Sequence, residues 1–226
     1  MERIIKKLED LKNTKVEEQP PLPIENNVLK TFSIENEPVV ELVNNREREY
    51  IFADLPDIGY STDIDTVMAS SYQVKKQLQQ IVKIEQPITN TLLYKRILRI
   101  WNLTRVTTRL QVFIDNLLED AYKDPLSGDT IIYWEDEEKA KDCDFYRINS
   151  KRDILDIPIL EVMSAARYAI EQQISMPTED LKRLTSQLLG FSRKGNNLDM
   201  VTEQTIQLLI DQGIFSHANG MVSMNN

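Results

Sequence analysis

Two stretches of this 226-residue chain gather cations with no acid among them. The first, Gln86 to Ile114, carries Lys95, Arg96, Arg99, Arg105 and Arg109; the second, Leu181 to Leu198, carries Lys182, Arg183, Arg193 and Lys194. Short hydrogen-bonding side chains accompany both: Thr107 and Thr108 in the first, Asn196 and Asn197 in the second. Guanidinium and ammonium groups beside hydroxyls and amides suit phosphate oxygens and base edges. The same groups equally suit the carboxylates of a protein partner, or of this chain's own acidic segments, where exposed pairs add little stability.

The surroundings sharpen the contrast. The formal net charge is -9, so the long-range field opposes nonspecific encounter with nucleic acid or an anionic membrane, and any such contact has to be local. The acids lie elsewhere: residues 1–60 hold 13 acids against 8 bases, and residues 115–145 hold 11 acids against Lys123, Lys139 and Lys141.

Enzyme chemistry finds little to work with. Cys143 is the single cysteine and His217 the single histidine, so neither an internal disulfide nor a Cys/His metal cluster can be assembled. The phosphate-binding glycine loops, the zinc-protease helix motif and the nucleophile elbow are all missing. The acidic run "EDEEKAKDCD" lacks the alternating ligands and glycine of a calcium loop. No residue is nominated as catalytic, cofactor-binding or metal-ligating, and no cofactor is expected. Trp101 shares a stripe with Leu93, Ile97 and Ile100 and reads as core; Trp134 reads as hairpin packing, and His217 as a surface residue. With no long uncharged apolar run and no signal-peptide core, a cytoplasmic protein is expected.

The elements that must position these cations read as mainly α with short β-hairpins. Ile4, Ile5, Leu8 and Leu11 predict a short N-terminal helix, followed by the Pro-rich linker "NTKVEEQPPLPIENN". The run "EPVVELVNNREREYIFADLP" fits either short strands or an arm laid on the body. A helix beginning at Met68 or Ser70 continues through "YQVKKQLQQIVKI" until Pro87 stops it, and Thr89 stands where the next helix needs a cap. A third helix buries Leu110, Ile114, Leu117, Leu118 and Ala121, and strand-like runs follow at "TIIYW" and "DFYRI". The later half repeats this order with "ILEVMSAARYAIEQQ", a restart at Thr178 into "LKRLTSQLLGF", then "MVTEQTIQLLIDQG" closed by Gly213, and a hairpin at Asn219-Gly220.

Laid over one another, the halves agree. At a shift of 88, Leu93, Ile100, Leu103, Thr104 and Arg105 fall on Leu181, Leu188, Phe191, Ser192 and Arg193; at 92, Ile114, Leu117 and Leu118 fall on Ile206, Leu209 and Ile210. The four-residue difference is expected as an insertion in the loop "KGNNLD". The predicted architecture is a pair of tandem winged-helix-like units at 67–150 and 151–226, preceded by an N-terminal helix, linker and extended arm over 1–66. Both cationic islands then occupy the second helix and the turn before the third.

Residues from about 78 to 222 resemble the C-terminal domain of unknown function of bacterial superfamily-I DNA helicase-like proteins, which commonly carry a restriction-endonuclease-like domain upstream. The likeness rests on "IVKIEQPI" (81–88), "RILRIWNLTRVTTRL" (96–110), "DFYRI" followed by "DIPILEV" (144–162), and "LLGFSRKG" (188–195). After the "PI" step the family usually carries a histidine and acids, where this chain has Thr89 and Asn90. The resemblance implies a noncatalytic accessory module of a helicase- or nuclease-type system, with DNA and a helicase or nuclease as the expected partners, Met1 opening a truncated, split or stand-alone relative. The alternative is an adapter that docks on such a partner without touching DNA.

Overall fold

The computed structural model describes residues 44–60, 62–124, 130–148 and 151–225. The expected helix on Ile4 to Leu11 and the Pro-rich linker lie outside the described residues. Asp63 opens the first helix, α1 (Ile64–Ala69), by accepting the Thr66 amide at 2.8 Å. Helix α2 (Ser71–Glu85) buries Val74, Leu78, Ile81 and Val82, spaced i, i+4, i+7 and i+8, and ends where Gln86 turns extended ahead of Pro87. Thr89 closes the two-residue strand β2 (Ile88–Thr89) and caps α3 (Asn90–Ile100), accepting the Leu92 amide at 3.3 Å. Thr107 does the same for α4 (Thr108–Leu117) through the Leu110 amide. Strands β3 (Tyr122–Lys123) and β4 (Ile132–Trp134) complete an antiparallel sheet in the order β2-β4-β3.

The second half builds the same thing again. A short 3-10 turn, Ile154–Asp156, leads to α6 (Ile159–Glu171), β6 (Met176–Pro177), α7 (Thr178–Leu188), α8 (Asn196–Asp211), β7 (Phe215–Ala218) and β8 (Met221–Met224), with the sheet in the order β6-β8-β7. Between the halves lie α5 (Glu137–Lys141) and β5 (Tyr146–Ile148); the latter pairs in parallel with β1 (Glu47–Glu49) of the arm. The described body is thus helical with small sheets. The hairpin at Asn219 and Gly220 has φ of 53° and 75°, the left-handed pair that a two-residue turn requires.

Each half has its own core. Leu78, Ile81, Leu93, Ile97, Leu110, Ile114 and Trp101 meet in the first; Ala166, Ile170, Leu181, Ile206, Leu209, Phe215 and Val222 meet in the second. Each of the large apolar side chains contributes about 1.5–3 kcal/mol by leaving water. Trp134 is buried with Ile132 and Phe145, and its indole N–H reaches Asp124 at 3.2 Å.

The structure completes some of these expectations and corrects others. Both strand-like runs form strands, but with different partners: β4 in "TIIYW" pairs with β3, while β5 in "DFYRI" pairs with β1 of the arm. The helix α1 begins at Ile64, inside the segment read as arm, and α5 is an addition to the expected elements. Of the run "EPVVELVNNREREYIFADLP", the residues described, from Asn44 on, supply one strand and then a strap, with the Ile58 amide on the Ile100 carbonyl. The extra residues of the second half do not sit in "KGNNLD". Helix starts keep the 88-residue shift at every step (Ser71 and Ile159, Asn90 and Thr178, Thr108 and Asn196), so the added length lies within α8, 16 residues against 10 in α4.

A buried ionic cluster joins the halves. Arg147 donates to the main-chain oxygens of Glu85 at 2.7 Å and Pro87 at 2.6 Å, and pairs with Glu161 of α6. Arg152 pairs with the same carboxylate at 2.7 Å. Nearby, Lys95 of α3 reaches the buried Asp156 at 2.6 Å. Val43–Asn226 forms one compact unit accordingly.

Candidate functional site

The two turns that follow α3 and α7 are built alike, bond for bond. Leu103 N–H meets the Leu98 carbonyl at 2.9 Å, and Phe191 N–H meets the Ser186 carbonyl at 3.0 Å, each 88 residues from its counterpart. Between them Asn102 and Gly190 take φ of 46° and 89°, the left-handed closure of a helix C-terminus. Beyond this closure Arg105 and Arg193 emerge at matching positions, both exposed and without an ion-pair partner among the described residues. Lys194 shares that state. Thr108, Asn196 and Asn197 are exposed at the first turns of α4 and α8; Asn196 and Asn197 belong to the helix and not to the loop before it. Thr107 is engaged as the α4 cap.

The other candidate cations are committed within the molecule. Arg96 grips the fully buried Glu85 at 2.9 Å, bonds Tyr50 at 2.8 Å and covers the Phe52 ring at 4.3 Å. Its guanidinium is therefore committed within the molecule, though the side chain remains 16% exposed. Lys95 is held by Asp156, though its side chain stays half exposed. Lys182 is almost wholly buried and bonds Asp199 at 2.6 Å and Glu179 at 3.3 Å, so it too leaves the candidate surface. Burial alone would lower its pKa, but those two carboxylates raise it. Arg99 lies on the Phe52 ring with Asp54 at 3.9 Å; Arg109 pairs with Asp65 at 2.8 Å, and Arg183 with Asp180 at 2.8 Å. These last three are exposed pairs and remain within reach of an outside anion.

Sequence reasoning did not find the acids and bases of the interior. Glu85 lies four residues beyond Ile81 and seven beyond Leu78, on the buried stripe of α2, and Glu161 stands among the apolar residues of α6. A carboxylate on an apolar stripe demands a buried cation, and that was the available signal. Burial would raise the Glu161 carboxyl, yet the charges of Arg147 and Arg152 outweigh it and bring the pKa down to about 2. Tyr50, half-buried and facing Glu85, is pushed up to about 12 despite Arg96.

Beside the second turn, α7 and α8 leave a groove of about 540 Å³, lined by Ser186, Phe191, Arg193, Lys194 and Asn196 among others. Among the described residues no group of three or more His, Cys, Asp or Glu side chains is placed to hold a metal ion. No helix among them is long and apolar enough to cross a membrane.

Two helical units with small sheets each present a cationic turn. Residues 69–112, from the end of α1 to the middle of α4, match a family described as a protein of unknown function (DUF3320). The matched span takes in "IVKIEQPI" and "RILRIWNLTRVTTRL". No curated protein and no solved structure matches the chain.

Proposed function

We propose that the two halves are winged-helix units, and that together they form a noncatalytic accessory module of a DNA helicase- or nuclease-type system, contacting nucleic acid through the turns into α4 and α8. In this reading α4 and α8 are the third helices, and the β3–β4 and β7–β8 ribbons are the wings. The observation that carries it is the pair Arg105 and Arg193, unpaired side chains at the same point of two turns that agree hydrogen bond for hydrogen bond. Cations left without internal partners at a repeated position, in a chain of net charge -9, have an outside anion as their natural complement. The setting that goes with this role is the bacterial cytoplasm. The test is the affinity of the full chain for labelled single- and double-stranded oligonucleotides across a salt series. Phosphate contact gives a steep fall with salt, and Arg105→Ala/Arg193→Ala flattens the log–log slope by about 1.5–2. An absence of binding at low salt refutes this function.

A second reading is favoured by one observation: the exposed flank of α8 carries Asp199, Glu203 and Asp211, a poor surface to lay against phosphates. An adapter that docks on a helicase or nuclease would use this acidic flank against a basic partner. Co-purification of such a partner, abolished by Glu203→Lys/Asp211→Lys and untouched by Arg105→Ala/Arg193→Ala, would establish it in place of the first.

A further inference from the structure

The two units are alike in the backbone of the turn, but among the side chains that differ Phe191 stands at the position Leu103 holds in the first unit. Phe191 is half-buried, seated against the cluster that contains Leu189 and Leu198, and it also lines the groove between α7 and α8. The same ring borders the shelf between the turn and the 3-10 segment, so groove and shelf share it as a common wall. Arg193 lines both depressions, and Lys194 stands beside it.

We infer that this groove takes a single-stranded nucleic-acid segment, a base stacking on Phe191 and the neighbouring phosphates meeting Arg193 and Lys194. The inference rests on the nucleic-acid reading above and names the strand state. An aromatic ring flanked by unpaired cations is the combination that single strands use, because every base offers a face to stack and every linkage a charge to meet. The groove is of a size to receive such a ligand. The charge pattern of α8 argues against a duplex. A helix laid along a major groove would bring Glu203 and Asp211 toward the phosphate walls, whereas a strand crossing the turn meets only the groove, where the lining carboxylates of Glu179 and Asp199 are both bonded by Lys182. The first unit lacks the ring and has Arg109 tied to Asp65, so the second unit carries the base contact.

The experiment uses the full chain with a thymidine strand of about 15 nucleotides and a duplex of the same length. The single strand is expected to bind at least about tenfold more tightly than the duplex. Phe191→Leu, the residue type the first unit carries there, should keep the packing and weaken single-strand binding by about tenfold with the salt slope unchanged. Arg193→Ala/Lys194→Ala should reduce that slope by about 1.4, at about 0.7 for each phosphate contact to a single strand. Phe191→Trp supplies a direct reporter: the emission of the introduced indole should be quenched by the strand, while Trp101 and Trp134, buried in the cores, leave the unsubstituted chain silent. Tighter duplex binding, or single-strand binding indifferent to Phe191→Leu with no quenching in the Phe191→Trp variant, overturns the inference and leaves the nucleic-acid reading standing. Failure of both probes to bind at low salt removes the two together.

Discussion

Arg147 and Glu161 form an ion pair with both side chains almost wholly out of water, and the same guanidinium holds the Glu85 and Pro87 carbonyls of the first unit. Desolvating such a pair is costly, so its contribution is chiefly to geometry: it fixes one unit against the other. Removing one partner leaves the other charged and unmatched in the interior. Arg147→Ala is therefore expected to lower unfolding free energy by about 3–5 kcal/mol. Denaturant unfolding followed by circular dichroism should also change from one transition to two as the units lose their common anchor.

The Glu161 carboxyl, held at about 2 against an ordinary 4.5, sets an acid limit to stability. The unfolded chain takes up the proton first, so the contribution is complete above about pH 4.5 and drains away as pH falls toward 2. It amounts to about 3 kcal/mol at neutral pH. Glu161→Gln should lose most of this at pH 7 and show a flatter fall between pH 4.5 and 2, measured by urea midpoints at each pH.

Cys143 is half-buried, and desolvation together with the nearby Glu161 charge pushes its thiol up to about 12. At pH 8 hardly any thiolate is present. Reaction with a disulfide reagent should be at least about tenfold slower in the folded chain than in denaturant; equal rates would show the thiol to be free.

The turn closures give a paired test. Gly190 has open space where a Cβ would be added, but its φ of 89° strains any other residue, so Gly190→Ala should cost about 1–2 kcal/mol. Asn102, at φ of 46°, should accept glycine with no loss. Thermal midpoints of the two variants report the difference.

Lys182 and Arg193 should separate stability from binding. Lys182→Ala breaks the link from α7 to Asp199 and Glu203 and should lower the thermal midpoint, whereas Arg193→Ala should leave the midpoint nearly unchanged and weaken oligonucleotide binding.

What could be read without coordinates follows from how far each signal extends along the chain. The stripe of Leu93, Ile97, Ile100 and Trp101 was legible because helical spacing repeats over many residues, and Asn219-Gly220 because its turn chemistry is confined to two. The strands β2, β3 and β6 have two residues each, too few for any alternation to show, and they exist because β4 and β8 offer them partners. The cationic islands were visible as composition, but which cation faced outward was decided by Glu85, Asp156 and Asp199, the first two remote in sequence or hidden on an apolar face. Arg105 and Arg193 emerged from that sorting; Arg96 and Lys182 did not.

The constant 88-residue spacing of helix starts makes the two halves interchangeable parts up to the third helix. Residues 88–107 and 176–195 enter and leave at equivalent points, so either cassette can be grafted into the other's place without altering the length of the chain around it. A chain carrying two copies of one turn is thus an accessible object, and with it the properties of each turn can be counted in single or double dose.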